Sequence, residues 1–109
     1  MKKNRYLFVL LMVAAMLPAG AQVIEHVDPP SWFTGMNEET LQLMVYGKEI
    51  GSFTVTTDYP GIEVKTMVRT ENPNYLFVYL NISDRAEPGT ATLTFTRGKQ
   101  KTTHSYPLL

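Results

Sequence analysis

An all-β sandwich of about seven antiparallel strands, preceded by a signal peptide, is the fold this sequence predicts, on three observations. Short segments rich in β-branched and aromatic residues recur between turn signals at intervals of about ten residues. Within most of them apolar and polar residues alternate with the period of 2 that suits a half-buried strand. Beyond the N-terminus no segment sustains the 3.6-residue period of an amphipathic helix.

Residues 1–21 read as the signal peptide. Lys2, Lys3 and Arg5 form a basic start, Tyr6 to Leu17 an apolar stretch of about a dozen residues, and Ala19-Gly20-Ala21 a small-residue cleavage site. A membrane-spanning helix needs roughly 20 apolar residues, so export with cleavage after Ala21 is expected rather than anchoring. Residues 22–109 then form one domain, and in a Gram-negative cell it resides in the periplasm. Beyond residue 21, seven Lys and Arg stand against ten Asp and Glu, a net charge of −3. That balance offers no footprint for nucleic acid or for an anionic membrane. The chain has no cysteine, so neither disulfides nor thiolate metal sites support the fold, which rests on its core.

The strands follow in order. An opening strand covers Val23 to Val27. Asp28-Pro29-Pro30-Ser31-Trp32-Phe33-Thr34-Gly35-Met36 is a rigid loop, because proline fixes the backbone and lacks the N–H a central strand requires. It either seals one end of the core or presents Trp32 and Phe33 to something outside. Asn37 to Thr40 has room for one short turn. Leu41, Leu43 and Val45 then alternate with Gln42 and Met44 up to Gly47, and Phe53 and Val55 alternate with Ser52, Thr54 and Thr56. Asp58-Tyr59-Pro60-Gly61 suits a type II turn. In the next strand Ile62, Val64, Thr66 and Val68 are expected on one face, Glu63, Lys65, Met67 and Arg69 on the other. Tyr75 to Ile82 is apolar on both parities, which predicts a central strand whose aliphatic face is core and whose aromatic face is covered by something. After a loop at 84–90, Leu93 and Phe95 alternate with threonines, and Arg97 to Gln100 turns the chain into a last strand over 101–109. The predicted interior is Leu43, Val45, Val64, Leu76, Val78, Leu80, Leu93 and Phe95.

Catalytic chemistry finds no foothold in the pattern. His26 and His104 lie far apart and lack the spacing of a zinc site, so packing or surface roles are expected and no metal. The carboxylates sit mostly in turns or on polar strand faces rather than as the pair a glycosidase needs around a groove. No serine has a nucleophile-elbow context, and there is no glycine-rich phosphate loop, so no cofactor is expected. Asn81-Ile82-Ser83 matches a glycosylation sequon by accident of strand sequence. The aromatics remain. Trp32, Phe33, Tyr46, Tyr59, Tyr75, Phe77 and Tyr79 are candidates to stack on sugar rings, to pack against a neighbouring domain, or to fill the core.

The aromatic loop, Leu41-Gln42-Leu43-Met44-Val45-Tyr46-Gly47-Lys48 and Glu71-Asn72-Pro73-Asn74-Tyr75-Leu76-Phe77-Val78-Tyr79-Leu80 together resemble the N-terminal domain of bacterial cyclomaltodextrinases and neopullulanases of the α-amylase superfamily, particularly those of Bacteroidetes. The resemblance covers about Val23 to Tyr106, with three motifs in the right order. The family often carries two tryptophans where this chain has Trp32-Phe33, which keeps an aromatic pair but drops one indole N–H. The resemblance implies an immunoglobulin-like sandwich. It also implies that the catalytic carboxylates belong to a (β/α)8 barrel C-terminal to the module, so this chain alone is not an enzyme. The expected partners are that barrel, in the same polypeptide or in a second subunit, and α-glucan oligosaccharides, with Trp32, Phe33, Tyr46, Tyr75 and Tyr79 as contact residues. A free-standing carbohydrate-binding module is the alternative.

Overall fold

The structure, a computed structural model, describes residues 23–109. The signal peptide expected over residues 1–21 lies outside the described residues. Seven strands are present among the described residues: β1 (Ile24–Asp28), β2 (Thr40–Gly47), β3 (Thr54–Thr56), β4 (Ile62–Arg69), β5 (Tyr75–Ile82), β6 (Gly89–Arg97) and β7 (Gln100–Leu108). They form two antiparallel sheets, one ordered β1-β2-β5-β4 and the other β3-β6-β7. This division, with the first, second, fifth and fourth strands facing the third, sixth and seventh, is that of a constant-type immunoglobulin sandwich.

The core lies between the sheets. Leu43, Val45, Leu76, Val78, Leu80, Leu93 and Phe95 are buried there as the alternation predicts, and Val64 packs against them half-buried. Ile50, Phe53, Tyr106 and Leu108 complete it. No turn of helix forms over 37–40. Among the described residues the one helical turn is a 3-10 segment at Ile50–Ser52, entered through Glu49 in the left-handed region at φ 56°.

The expected phase of β4 holds only for its first half. Against β5, Val64 lies opposite Leu80 and Thr66 opposite Tyr79, so Lys65 is an extra residue, a β-bulge. A one-residue slip exchanges the faces of every later side chain. Met67, predicted to face outward, therefore packs against the core. Val68, predicted inward, is 45 % exposed.

The end of β4 also seals the neighbouring edge. The Val55 N–H donates to the Met67 sulfur at 3.4 Å. Arg69 donates through Nε to the Gly51 carbonyl at 2.7 Å and through Nη2 to the Phe53 carbonyl at 2.9 Å. Arg97 lies 4.8 Å over the Phe53 ring and donates to Ser52 Oγ and Gln100 Oε1 at 2.7 and 2.9 Å. The outward edge of the short β3 is thus held by side chains rather than by another strand.

Candidate functional site

The five aromatic candidates divide into two separate groups. Trp32 and Phe33 lie at one end of the sandwich. After β1 the chain leaves the first sheet through a cis Asp28–Pro29 bond and runs alongside the end of β7, with Trp32 bridged in parallel to Leu108. Trp32 N–H donates to the Pro107 carbonyl at 3.2 Å, Leu109 N–H to the Trp32 carbonyl at 2.7 Å, and Thr34 N–H to the Leu109 carbonyl at 2.9 Å. The Tyr106 hydroxyl adds a bond to the Pro29 carbonyl at 2.8 Å.

This ladder sets the two aromatic residues of the loop in different surroundings. Trp32 packs half-buried against the core, whereas Phe33, whose ring centroid lies 6.1 Å from that of Trp32, is 51 % exposed. Met36 and Leu109 are exposed as well. Three of the four large hydrophobic side chains exposed among the described residues therefore belong to this loop or to the residue hydrogen-bonded to it.

Tyr46, Tyr75 and Tyr79 lie elsewhere, on the outer face of the first sheet. Tyr46 and Tyr75 are directly opposite each other, ring centroids 4.9 Å apart, and His26 stands 6.3 Å beyond Tyr46. Tyr79 is opposite Gln42, and between these tiers Met44 is opposite Phe77, which in turn faces Val68 on β4. Met44 and Val68 were not among the candidates. Met44 shares its parity with Tyr46 and was readable from β2 alone; Val68 reaches this face only because of the bulge.

Two ionisable side chains of β7, His104 and Tyr106, face inward. His104 lies half-buried in line with Tyr106 and Leu108, and burial lowers its pKa from the usual 6.5. Tyr106 is fully buried, and desolvation pushes its hydroxyl up to about 12. Both shifts disfavour the charged form, as expected for groups embedded in packing.

The fold and these surfaces define an immunoglobulin-like β-sandwich module whose outward-facing aromatics gather at one rim and on one sheet face. Comparison with known families makes the assignment specific: the model describing the N-terminal domain of cyclomaltodextrinase matches residues 26–109. The chain belongs to that family. It is a non-catalytic all-β module of the kind that stands at the N-terminus of α-amylase-family hydrolases.

Proposed function

We propose that this chain is the N-terminal module of an exported hydrolase of α-glucans, cyclomaltodextrin, pullulan or starch, and that its Phe33 rim docks on the catalytic (β/α)8 barrel of the same polypeptide or of a second subunit. Family membership supports the parent enzyme. The basic and apolar start of the sequence supports export to the periplasm, and the three recurrent motifs support the Bacteroidetes-type, neopullulanase-like branch. One observation carries the docking surface: the Trp32–Thr34 stretch is hydrogen-bonded to Pro107 and Leu109. In a module that precedes its catalytic domain, the polypeptide proceeds toward that domain from the end of β7. Phe33, Met36 and Leu109 flank that departure point, and an apolar rim there is suited to burial on docking. Prolines 29 and 30 and the β7 ladder pre-order the rim, which lowers the entropy lost on docking.

The test is the double substitution Phe33→Ala with Leu109→Ala, made in the chain alone and in the polypeptide that joins it to its barrel. The chain alone should melt within about 0.5 kcal/mol of the parent, because both side chains are exposed. The joined protein should lose its coupled calorimetric transition and melt in two steps. Collapse of the isolated chain, or unchanged coupling in the joined protein, overturns the docking surface.

A second reading has its own support. Tyr46 and Tyr75 form an outward aromatic pair, with Tyr79 four residues along β5 on the same face, on which a glucan chain can stack. Loss of maltooligosaccharide binding on Tyr46→Ala, with the melting of the isolated chain unchanged, would favour this face; the absence of any coupling to a barrel would favour with it a free-standing periplasmic carbohydrate-binding module.

A further inference from the structure

The same end of the sandwich holds a cavity that neither aromatic group explains. It is an open depression of about 440 Å³ between the β3–β4 turn and the β5–β6 loop, lined by Tyr59, Pro60, Gly61, Arg85 and Glu87. Its walls are tied together. Ile62 N–H closes the turn on the Tyr59 carbonyl at 3.1 Å, and Ser83 N–H joins the second loop to the Gly61 carbonyl at 2.7 Å. The Tyr59 hydroxyl donates to the Glu87 carbonyl at 2.6 Å, so the ring spans both loops and packs partly on the core.

Two glycines make that placement possible. Gly61 has φ +89°, and a Cβ there would stand 2.8 Å from the Ala86 Cβ. A Cβ on Gly89 would stand 2.5 Å from the Tyr59 hydroxyl oxygen. Gly89 in turn lies opposite Leu108, which is bridged to Trp32, so the cavity and the Phe33 rim open on one end of the molecule.

The groups at the mouth decide what the cavity can hold. Arg85 and Glu87 both line it, and among the described residues neither side chain makes an ion pair or hydrogen bond. The loop bonds in which they take part use the Arg85 N–H and the Glu87 carbonyl. A guanidinium only donates and a carboxylate only accepts, so the pair offers both halves of hydrogen bonding to a ligand. An anion would meet Glu87 and a cation would meet Arg85. A neutral ring bearing hydroxyls suits both at once, with its C–H face on Tyr59 and Pro60.

The geometry points to a saccharide site in this cavity, and we infer that it takes the end of an α-glucan chain. The neutral polyhydroxylated ring follows from the lining, whereas the choice of an α-glucan rests on the proposed parent enzyme.

Titration of the 15N-labelled chain with maltoheptaose, followed by amide NMR, tests it. The amides of Gly61, Arg85 and Gly89 should shift together, and Arg85→Ala and Glu87→Ala should each weaken binding about tenfold, the loss of a charge-assisted hydrogen bond. Both side chains are exposed, so the melting temperature should not move. Silence of these amides at millimolar maltoheptaose overturns the site. So does binding insensitive to both substitutions, or equal binding of the β-linked cellohexaose. If the joined polypeptide shows these amides shifted without sugar and unresponsive to it, the cavity receives a side chain of the barrel and the proposal fails. The docking reading is judged separately by the Phe33 and Leu109 coupling. A sugar-silent cavity with intact coupling defeats this inference alone, and sugar-responsive amides without coupling defeat the docking alone.

Discussion

The two outer faces of the sandwich are built on similar strands and made of opposite materials. On the β3-β6-β7 sheet, Thr54, Thr96 and Lys101 form one row, Thr56, Thr94 and Thr103 the next, followed by Thr92 opposite Ser105. On the β1-β2-β5-β4 sheet the rows are His26, Tyr46 and Tyr75, then Asp28, Met44, Phe77 and Val68, then Gln42, Tyr79 and Thr66. Threonine and the aromatics satisfy strand propensity about equally well. Propensity therefore does not choose between them, and the choice reflects what lies outside. Threonine returns a hydroxyl to water at every second position. Tyrosine, phenylalanine and methionine leave an apolar surface that only each other, or a partner, can shield.

The comparison can be broken, starting with the largest effect, along β5, whose two faces look in opposite directions. Leu80→Ala removes a buried side chain and should cost about 3 kcal/mol in chemical denaturation. Phe77→Ala acts on the half-buried outer face of the same strand and should cost about 1 to 2 kcal/mol. If Phe77→Ala equals Leu80→Ala, the aromatic face is a second core and not an interface. If it costs nothing, the tiers of rings do not pack as described.

A pH-dependent effect should appear inside the sandwich. Tyr106 ionises near 10 when unfolded and near 12 when folded. A raised tyrosine pKa favours the neutral form in the native state, so its stabilisation is complete below pH 10 and is lost as pH rises from 10 toward 12. Tyr106→Phe should flatten that part of the stability curve, and an unchanged slope would show that the hydroxyl is not desolvated. The smallest effect belongs to the threonine face. Thr94→Ala should cost less than about 1 kcal/mol, the span of strand propensity, and should leave partner and sugar binding untouched. A larger loss of binding there would erase the contrast between the faces.

How much of this was legible depends on how far apart in sequence the cause lies. The period of β2, β5 and β6 is local, and it identified the buried residues and the doubly apolar central strand. The phase of β4 was not legible past Lys65, since a bulge is a property of pairing with β5 and no residue near Lys65 announces it. The 3-10 turn at Ile50–Ser52 depends on Glu49 adopting a left-handed conformation that its residue type does not favour. Trp32 and Phe33 were legible as an aromatic pair in a rigid loop. Which one plugs and which one protrudes is fixed by the ladder to Pro107 and Leu109, the far end of the chain. The Tyr59 cavity joins two loops more than 20 residues apart, and neither loop alone shows a site.

The side chains of Met67 and Arg69 on the edge of β3 limit how this module can recruit anything. An extended guest peptide that docks by adding a strand needs a row of free backbone donors and acceptors. On that edge the Val55 N–H and the Gly51 and Phe53 carbonyls are already engaged. The Trp32 stretch occupies the end of β7 in the same way. Donor-strand capture is closed at both places, which also removes two templates for edge-to-edge aggregation. Whatever meets the module at those two edges must be recognised by side-chain shape and chemistry rather than by strand pairing.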